Sequence, residues 1–207
     1  MIAGSFEYVI KIQAMRGEGQ DRAAVFERED GGLAIALADG AGGTSHGDIA
    51  AQAVLDTVHV LAGSDADWSV ILHALDRDTK RMMGGQTTAI VVVLGDSAIR
   101  GASVGDSEAW LVHADQRIEA LTANQTRKPL LGSGAQLTPT TAVELGDATL
   151  LIASDGLFRF AKQIDIAQAV CSADLDTAAE QLVDLVRTDA GNVLDDVSIV
   201  LARRLVV

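Results

Sequence analysis

The chain of 207 residues carries 16 Lys and Arg against 29 Asp and Glu, a formal net charge of −13. That balance excludes a binder of nucleic-acid backbone, which needs a basic footprint, and suits a protein that offsets part of its acidity with bound cations. A 48% hydrophobic share with only two prolines excludes a long disordered region and leaves room for a sizeable core in one domain spanning 1–207.

In chain order, "FEYVIKIQA" and "RAAVFERED" read as strands, the second closed by a Gly31-Gly32 turn. "LAIALAD" is a third strand, apolar throughout until it stops at Asp39. "GDIAAQAVLDTVHVLAG" spaces Ile49, Ala53, Val54, Val58 and Leu61 as a helix does, with Gly63 as the stop. Ser64 or Asp65 is placed to cap a second helix through "ADWSVILHALDRDTKRMM". Four short strands follow: "QTTAIVVVL", "SAIRGASVG", "EAWLVHA" and "RIEALT". The polar, Gly-bearing stretch "TANQTRKPLLGSGAQLTPT" reads as loop, and "TAVEL" and "ATLLIAS" as a strand pair turning at Gly146-Asp147. Helices are expected over 156–170 and 174–189, and "DVSIVLARRLVV" as the last strand.

Strands, two helices, a block of strands, two helices and a strand do not alternate as a doubly wound sheet does. The grouping predicts an α+β fold of antiparallel sheets covered by helices. Cys171 is the only cysteine, which rules out an internal disulfide or a thiolate zinc cluster and is expected in the core of a protein in a reducing compartment. The first residues alternate and carry Glu7 and Lys11, unlike a signal peptide, and "TTAIVVVLG" is too short to span a bilayer. A cytoplasmic location, with no membrane partner, is expected.

Asp39, Asp106 and Asp155 each follow an apolar run, and Asp195 sits just before the last strand. If those strands are neighbours, several carboxylates meet at one edge of the core. At about 4 Å each like-charged pair costs roughly 4 kcal/mol at an effective dielectric near 20. Such a cluster persists through protonation, through separation or through bound cations. Oxygen-only ligation suits Mg²⁺ or Mn²⁺ rather than zinc. The plainer alternative is that each Asp is ordinary turn chemistry, Asp-Gly being a common turn pair.

Six segments, in order along nearly the whole chain, resemble the metal-dependent protein phosphatases (the PPM, or type 2C-like, family). "RGEGQDRAAVF" resembles the opening Arg-to-acid motif, and "LADGAGG" the Asp-Gly-x-Gly-Gly motif. "GGQTTAIVVVL" resembles the Gly-Ser/Thr-Thr strand, and "ASVGDSEAWLV" the Val-Gly-Asp-Ser strand. "LLIASDGLF" and "DDVSIVLA" resemble the two late metal motifs. The resemblance implies a four-layer αββα sandwich, two antiparallel sheets flanked by helices, with two Mn²⁺ or Mg²⁺ ions at one end. Carried over, Asp39 bridges both ions, Gly40 offers its carbonyl, and Asp155 and Asp195 complete the site. Asp21 is a ligand or a partner of metal-bound water, Asp106 matches a third and weaker ion position, and Arg16 grips the substrate phosphate. The implied reaction is hydrolysis of phosphoserine or phosphothreonine in a phosphorylated protein, by attack of a metal-activated water.

Departures are visible. Gln20 stands where some members have a ligating Glu, and Ala41 replaces the His that animal members place after Asp-Gly. His46, five residues on, is the candidate general acid in its stead, against the plainer reading of a solvated loop His. Asp196 stands where Asn is usual, and Glu108 where Arg is usual. Positions 107–154, between Asp106 and Asp155, are few for this family, so the flap subdomain is reduced to "ANQTRKPLLGSG". Two other readings are a nucleotide-binding enzyme with "GAGGTS" as phosphate cradle, which lacks the Walker Gly-Lys-Ser/Thr, and a catalytically silent module that binds a phosphoprotein or regulatory partner.

Overall fold

The computed structural model describes residues 1–41, 46–82, 84–142, 144–172 and 174–205. Among the described residues eleven strands and five helices are arranged as β1 (Ile2–Ala3), β2 (Phe6–Gln13), β3 (Asp21–Glu27), β4 (Leu33–Asp39), α1 (Gly47–Leu61), α2 (Trp68–Met82), β5 (Ala89–Leu94), β6 (Ile99–Val104), β7 (Glu108–Val112), β8 (Ile118–Ala120), β9 (Thr138–Ala142), β10 (Thr149–Ala153), α3 (Asp155–Phe158), α4 (Gln163–Val170), α5 (Leu175–Asp184) and β11 (Val197–Arg204). One sheet has the order β1-β2-β11-β10-β7-β8 and the other β3-β4-β5-β6-β9. Every neighbouring pair is antiparallel. Helices α1 and α2 cover the second sheet and α3, α4 and α5 the first, so the expected αββα layering is found.

Strand β4 shows how residues choose the layers. Side chains alternate faces along a strand. Leu33, Ile35 and Leu37 point between the sheets, where they meet Phe6, Ile90, Leu150, Ile152 and Val200. Ala34, Ala36 and Ala38 point outward, and their small size lets α1 lie close through Val54, Leu55 and Val58. Both faces are covered, which explains an apolar run without polar alternation. Strand β10 repeats the device, with Leu150 and Ile152 toward the other sheet and Leu151 and Ala153 toward α4 and α5.

Five expectations are corrected. β9 and β10 form no hairpin. β9 pairs with β6 and β10 with β7 and β11, so the Gly146-Asp147 turn carries the chain from one sheet to the other. Pro139 lacks an N–H to donate and sits in β9 at the sheet edge, where a missing donor costs least. The helix expected over 156–170 is two pieces, because Lys162 turns extended and starts α4 afresh. Helix α1 buries Ala50 and Ala51 beside Val54, Leu55 and Val58, and leaves Ile49 exposed, since small side chains suit its close seat on the alanine face. Cys171 is exposed at the end of α4 and not in the core; its thiol donates to the His113 carbonyl at 3.4 Å. The cap of α2 is Asp67 rather than Ser64 or Asp65, accepting from the Ser69 N–H at 2.9 Å.

The reduced loop between β8 and β9 is packed down. Leu131 is buried and exchanges backbone hydrogen bonds with Thr87. Asp76, buried on α2, accepts from the N–H groups of Gly132, Gly134 and Ala135 through one carboxylate oxygen. Among the described residues no helix is long and apolar enough to cross a membrane.

Candidate metal centre

The antiparallel registers bring separate segments to one end of the sandwich. Asp21 opens β3 directly opposite Asp39 at the end of β4. Ala89 opens β5 opposite Val104, which closes β6 just before Asp106. Ala153 closes β10 before Asp155, and β11 begins two residues after Asp195. A cleft of about 510 Å³ opens there, lined by Arg16, Asp39, Gly40, Asp155 and Asp195 together with Asp196 and the 15–20 turn. Asp21 lies behind it, 3% exposed, and Asp106 is half-buried alongside.

The backbone of Asp39 is held from both sides. Its N–H donates to Thr88 Oγ1 at 2.9 Å, and its carbonyl accepts from the Thr88 N–H and Thr87 Oγ1, each at 2.9 Å. Thr88 Oγ1 in turn pairs with Ser107 Oγ at 2.8 Å. The Thr-Thr strand and the Asp-Ser turn thus serve to fix the carboxylate-bearing end of β4. Gly40 has a reason of its own: a Cβ there would come within 2.6 Å of the Gly47 backbone, so only glycine lets α1 begin so close.

Electrostatics show how tightly the acids are gathered. Burial, then repulsion from Asp21 and Asp155, pushes the Asp39 carboxyl up to about 9. Burial raises Asp21 to about 6, while the side chains of Ser154 and Ser198 pull the other way. Asp155 is also raised, by burial first and then by Asp106 and Asp195, with Arg159 partly offsetting them. Desolvation and like charge both disfavour ionisation, so these groups lack the positive charge that would let all of them ionise.

The donor set suits a hard divalent ion. It is all oxygen, and Asp21 Oδ2 is buried with no hydrogen-bond partner. Among the described residues no three His, Cys, Asp or Glu side chains close around a single point. The carboxylates instead flank an open cleft, the arrangement for Mg²⁺ or Mn²⁺ ions that keep several waters.

Arg16 is exposed at the cleft rim, on the turn between β2 and β3, and its guanidinium forms no ion pair among the described residues. That turn is held by Asp196, whose two carboxylate oxygens accept from the N–H groups of Met15 at 2.8 Å and Gln20 at 2.7 Å. Gly19, at φ 66°, makes room for the Asp196 carboxylate, which a Cβ would meet at 2.6 Å. Glu108 turns to Trp110 Nε1, at 2.8 Å, and toward Arg127. His46 stands apart. It is exposed, takes φ 69° at the start of α1 and does not line the cleft. Most of the "GAGGTS" cradle, positions 42–45, lies outside the described residues, as do Met83 at the end of the second predicted helix and the last two residues of the final predicted strand.

Two side chains escaped the sequence reading. Asp196 was visible only as a departure from Asn, although a second carboxylate beside Asp195 signals a separate task. Arg159, four residues after Asp155 at a helical start, reaches both Asp155 Oδ2 at 3.3 Å and Asp195 Oδ2 at 3.1 Å. Its i,i+4 spacing was the available signal.

This fold, with its acidic cleft at one end, is that of the metal-dependent protein phosphatases. Residues 29–205 match the family described as Stage II sporulation protein E (SpoIIE), and the chain belongs to it. Among solved structures the chain is similar to the serine/threonine phosphatase of S. agalactiae, at 22% identity and a TM-score of 0.80, covering 97% of this chain and 99% of that one. It is also similar to the catalytic domain of the serine threonine protein phosphatase PstP in complex with two manganese ions, at 19% identity and a TM-score of 0.79, covering 97% and 99%. A third structure, of the Mycobacterium tuberculosis serine/threonine phosphatase PstP/Ppp, aligns at 19% identity and a TM-score of 0.78 over 96% of this chain and 98% of that one. A search of curated protein sequences finds no match.

Proposed function

We propose that the chain is a metal-dependent phosphatase that hydrolyses phosphoserine or phosphothreonine in a protein partner, using two Mn²⁺ or Mg²⁺ ions in the cleft. The observation that carries this reading is the gathering of Asp39, Asp155 and Asp195 on one cleft, with Asp21 close enough to raise the carboxyl of Asp39 and Asp106 close enough to raise those of Asp39 and Asp155. Asp39, with the Gly40 carbonyl beside it, would hold both ions; Asp155 and Asp195 would complete one of them. Asp21, with its free Oδ2, would ligate or orient a coordinated water, and Asp106 would offer a weaker third position. The ions, when bound, supply a water acidified enough to attack phosphorus.

The other residues work on the substrate. Arg16 is placed to take two phosphate oxygens in its planar fork. The Asp196 anchor keeps Arg16 facing the cleft, so the phosphate and the carboxylates share one opening. Protonation of the leaving alkoxide falls to His46 only if the start of α1 brings it to the cleft; solvent serves otherwise. The two manganese ions held by the similar PstP catalytic domain support the ion type, and the serine/threonine phosphatases of similar fold support the substrate class.

The test is hydrolysis of p-nitrophenyl phosphate and of a phosphothreonine peptide in Mn²⁺. Activity abolished by EDTA, and reduced at least about a thousandfold by Asp39→Asn, is expected for loss of a ligand shared by both ions. Binding of Mn²⁺ with no turnover of either substrate would instead indicate a silent phosphoprotein-binding module.

A further inference from the structure

Among the described residues Arg159 is the one cation that pairs with the carboxylates of the candidate ligands. Its Nη1 lies 3.3 Å from Asp155 Oδ2 and 3.1 Å from Asp195 Oδ2, so a single nitrogen bridges two carboxylates delivered by different segments. Asp155 follows β10 and Asp195 precedes β11, and these strands are hydrogen-bonded neighbours. The point between their carboxylates is where a divalent ion shared by the two would sit. A metal–oxygen bond near 2.1 Å leaves no space for a guanidinium nitrogen between the same oxygens, and two cations there would repel.

The side chain is built to leave. It is 58% exposed, its backbone N–H is already held by the Asp155 carbonyl at 2.9 Å, and its guanidinium lies 5.5 Å from the centre of the Phe160 ring. The ring offers a face for the guanidinium once the carboxylates are taken. The backbone needs no change for such a swing.

We propose that Arg159 is a tethered counter-cation that occupies the Asp155–Asp195 position in the metal-free chain and is displaced by the entering ion. It then sets the affinity of that position: each ion bound must first break two ion pairs. The inference rests on the metal-centre reading above and concerns metal uptake, not turnover.

The experiment is calorimetric titration of Mn²⁺ into the native protein, Arg159→Gln and Arg159→Lys, with the melting temperature of each recorded in EDTA. Arg16→Gln serves as the control that removes one positive charge from the same cleft without breaking a pair. Arg159→Gln is expected to bind one Mn²⁺ roughly threefold to tenfold more tightly, the scale of two half-exposed ion pairs. In EDTA it is expected to melt lower than the native protein. Arg159→Lys should fall between, and Arg16→Gln should shift the affinity less than about twofold, as a screened charge would. Equal gains from Arg16→Gln and Arg159→Gln would overturn the proposal in favour of general electrostatics. Unchanged Mn²⁺ affinity in Arg159→Gln, with native binding intact, would overturn this inference alone. Absence of Mn²⁺ binding from the native protein would remove the metal centre itself and this inference with it.

Discussion

At the residue scale the site depends on carboxylates kept where burial away from water and like-charged neighbours oppose their charge. Asp39 is the extreme case, its proton held to about 9 by burial and by Asp21 and Asp155. The same geometry that costs stability without ions provides the ligands with them. Arg16 sits at the other end of the chemistry. Arg16→Ala is expected to raise KM for a phosphothreonine peptide about tenfold or more while changing kcat less, because it removes binding common to ground and transition states. Steady-state kinetics at saturating Mn²⁺ measure this, and an unchanged KM would remove the phosphate-gripping role.

The sequence disclosed these residues unequally. Asp39, Asp155 and Asp195 were legible because each breaks an apolar run or borders one, and their motifs occur in family order. His46 was read from proximity along the chain alone, and five residues of chain do not decide which way a side chain faces. Arg159 was invisible as a partner of Asp195 because that contact joins residues 36 apart. Cys171 was misjudged because composition ranks cysteine among buried residues, whereas its place at the end of α4 leaves it outside the layers.

At the element scale, strands deliver the site and one buried carboxylate secures the loop behind it. Asp76 binds three backbone N–H groups of the shortened β8–β9 connection, and Leu131 in that loop pairs with Thr87, which also binds the Asp39 carbonyl. Asp76→Ala leaves those donors without their acceptor and is expected to cost roughly 2–4 kcal/mol. Urea denaturation would show it as a lower midpoint at unchanged slope; a loss below about 1 kcal/mol would mean water replaces the carboxylate. Strand and helix positions were largely legible from alternation and helical spacing. The partners of β9 and β10 were not. A turn signal at Gly146-Asp147 says that the chain reverses, and only the covering of both faces of β10 decides that it reverses into the other sheet.

At the scale of the whole molecule, an excess of acidic groups meets a fold that concentrates several at one end. In the unfolded chain Asp39 titrates near 4; in the metal-free folded chain it keeps its proton to about 9. The folded state therefore binds more protons between those limits, and stability must fall as pH rises across them. Melting temperature in EDTA is expected to drop from pH 5 to pH 8 and to be recovered by Mn²⁺ at pH 8. Asp39→Asn should flatten that dependence and melt higher than the native protein in EDTA at pH 8, although the proposed metal role predicts that it is inactive. A native protein whose metal-free stability rises over this range would contradict the assignment of Asp39 as a buried, uncompensated acid.

Anomalous diffraction at the manganese edge, from crystals grown with Mn²⁺, tests the central claim most directly. Two peaks within coordination distance of Asp39, one of them also touching Asp155 and Asp195, are predicted. Ordered crystals in millimolar Mn²⁺ with no peak in the cleft, or with peaks only on scattered surface acids, would contradict it.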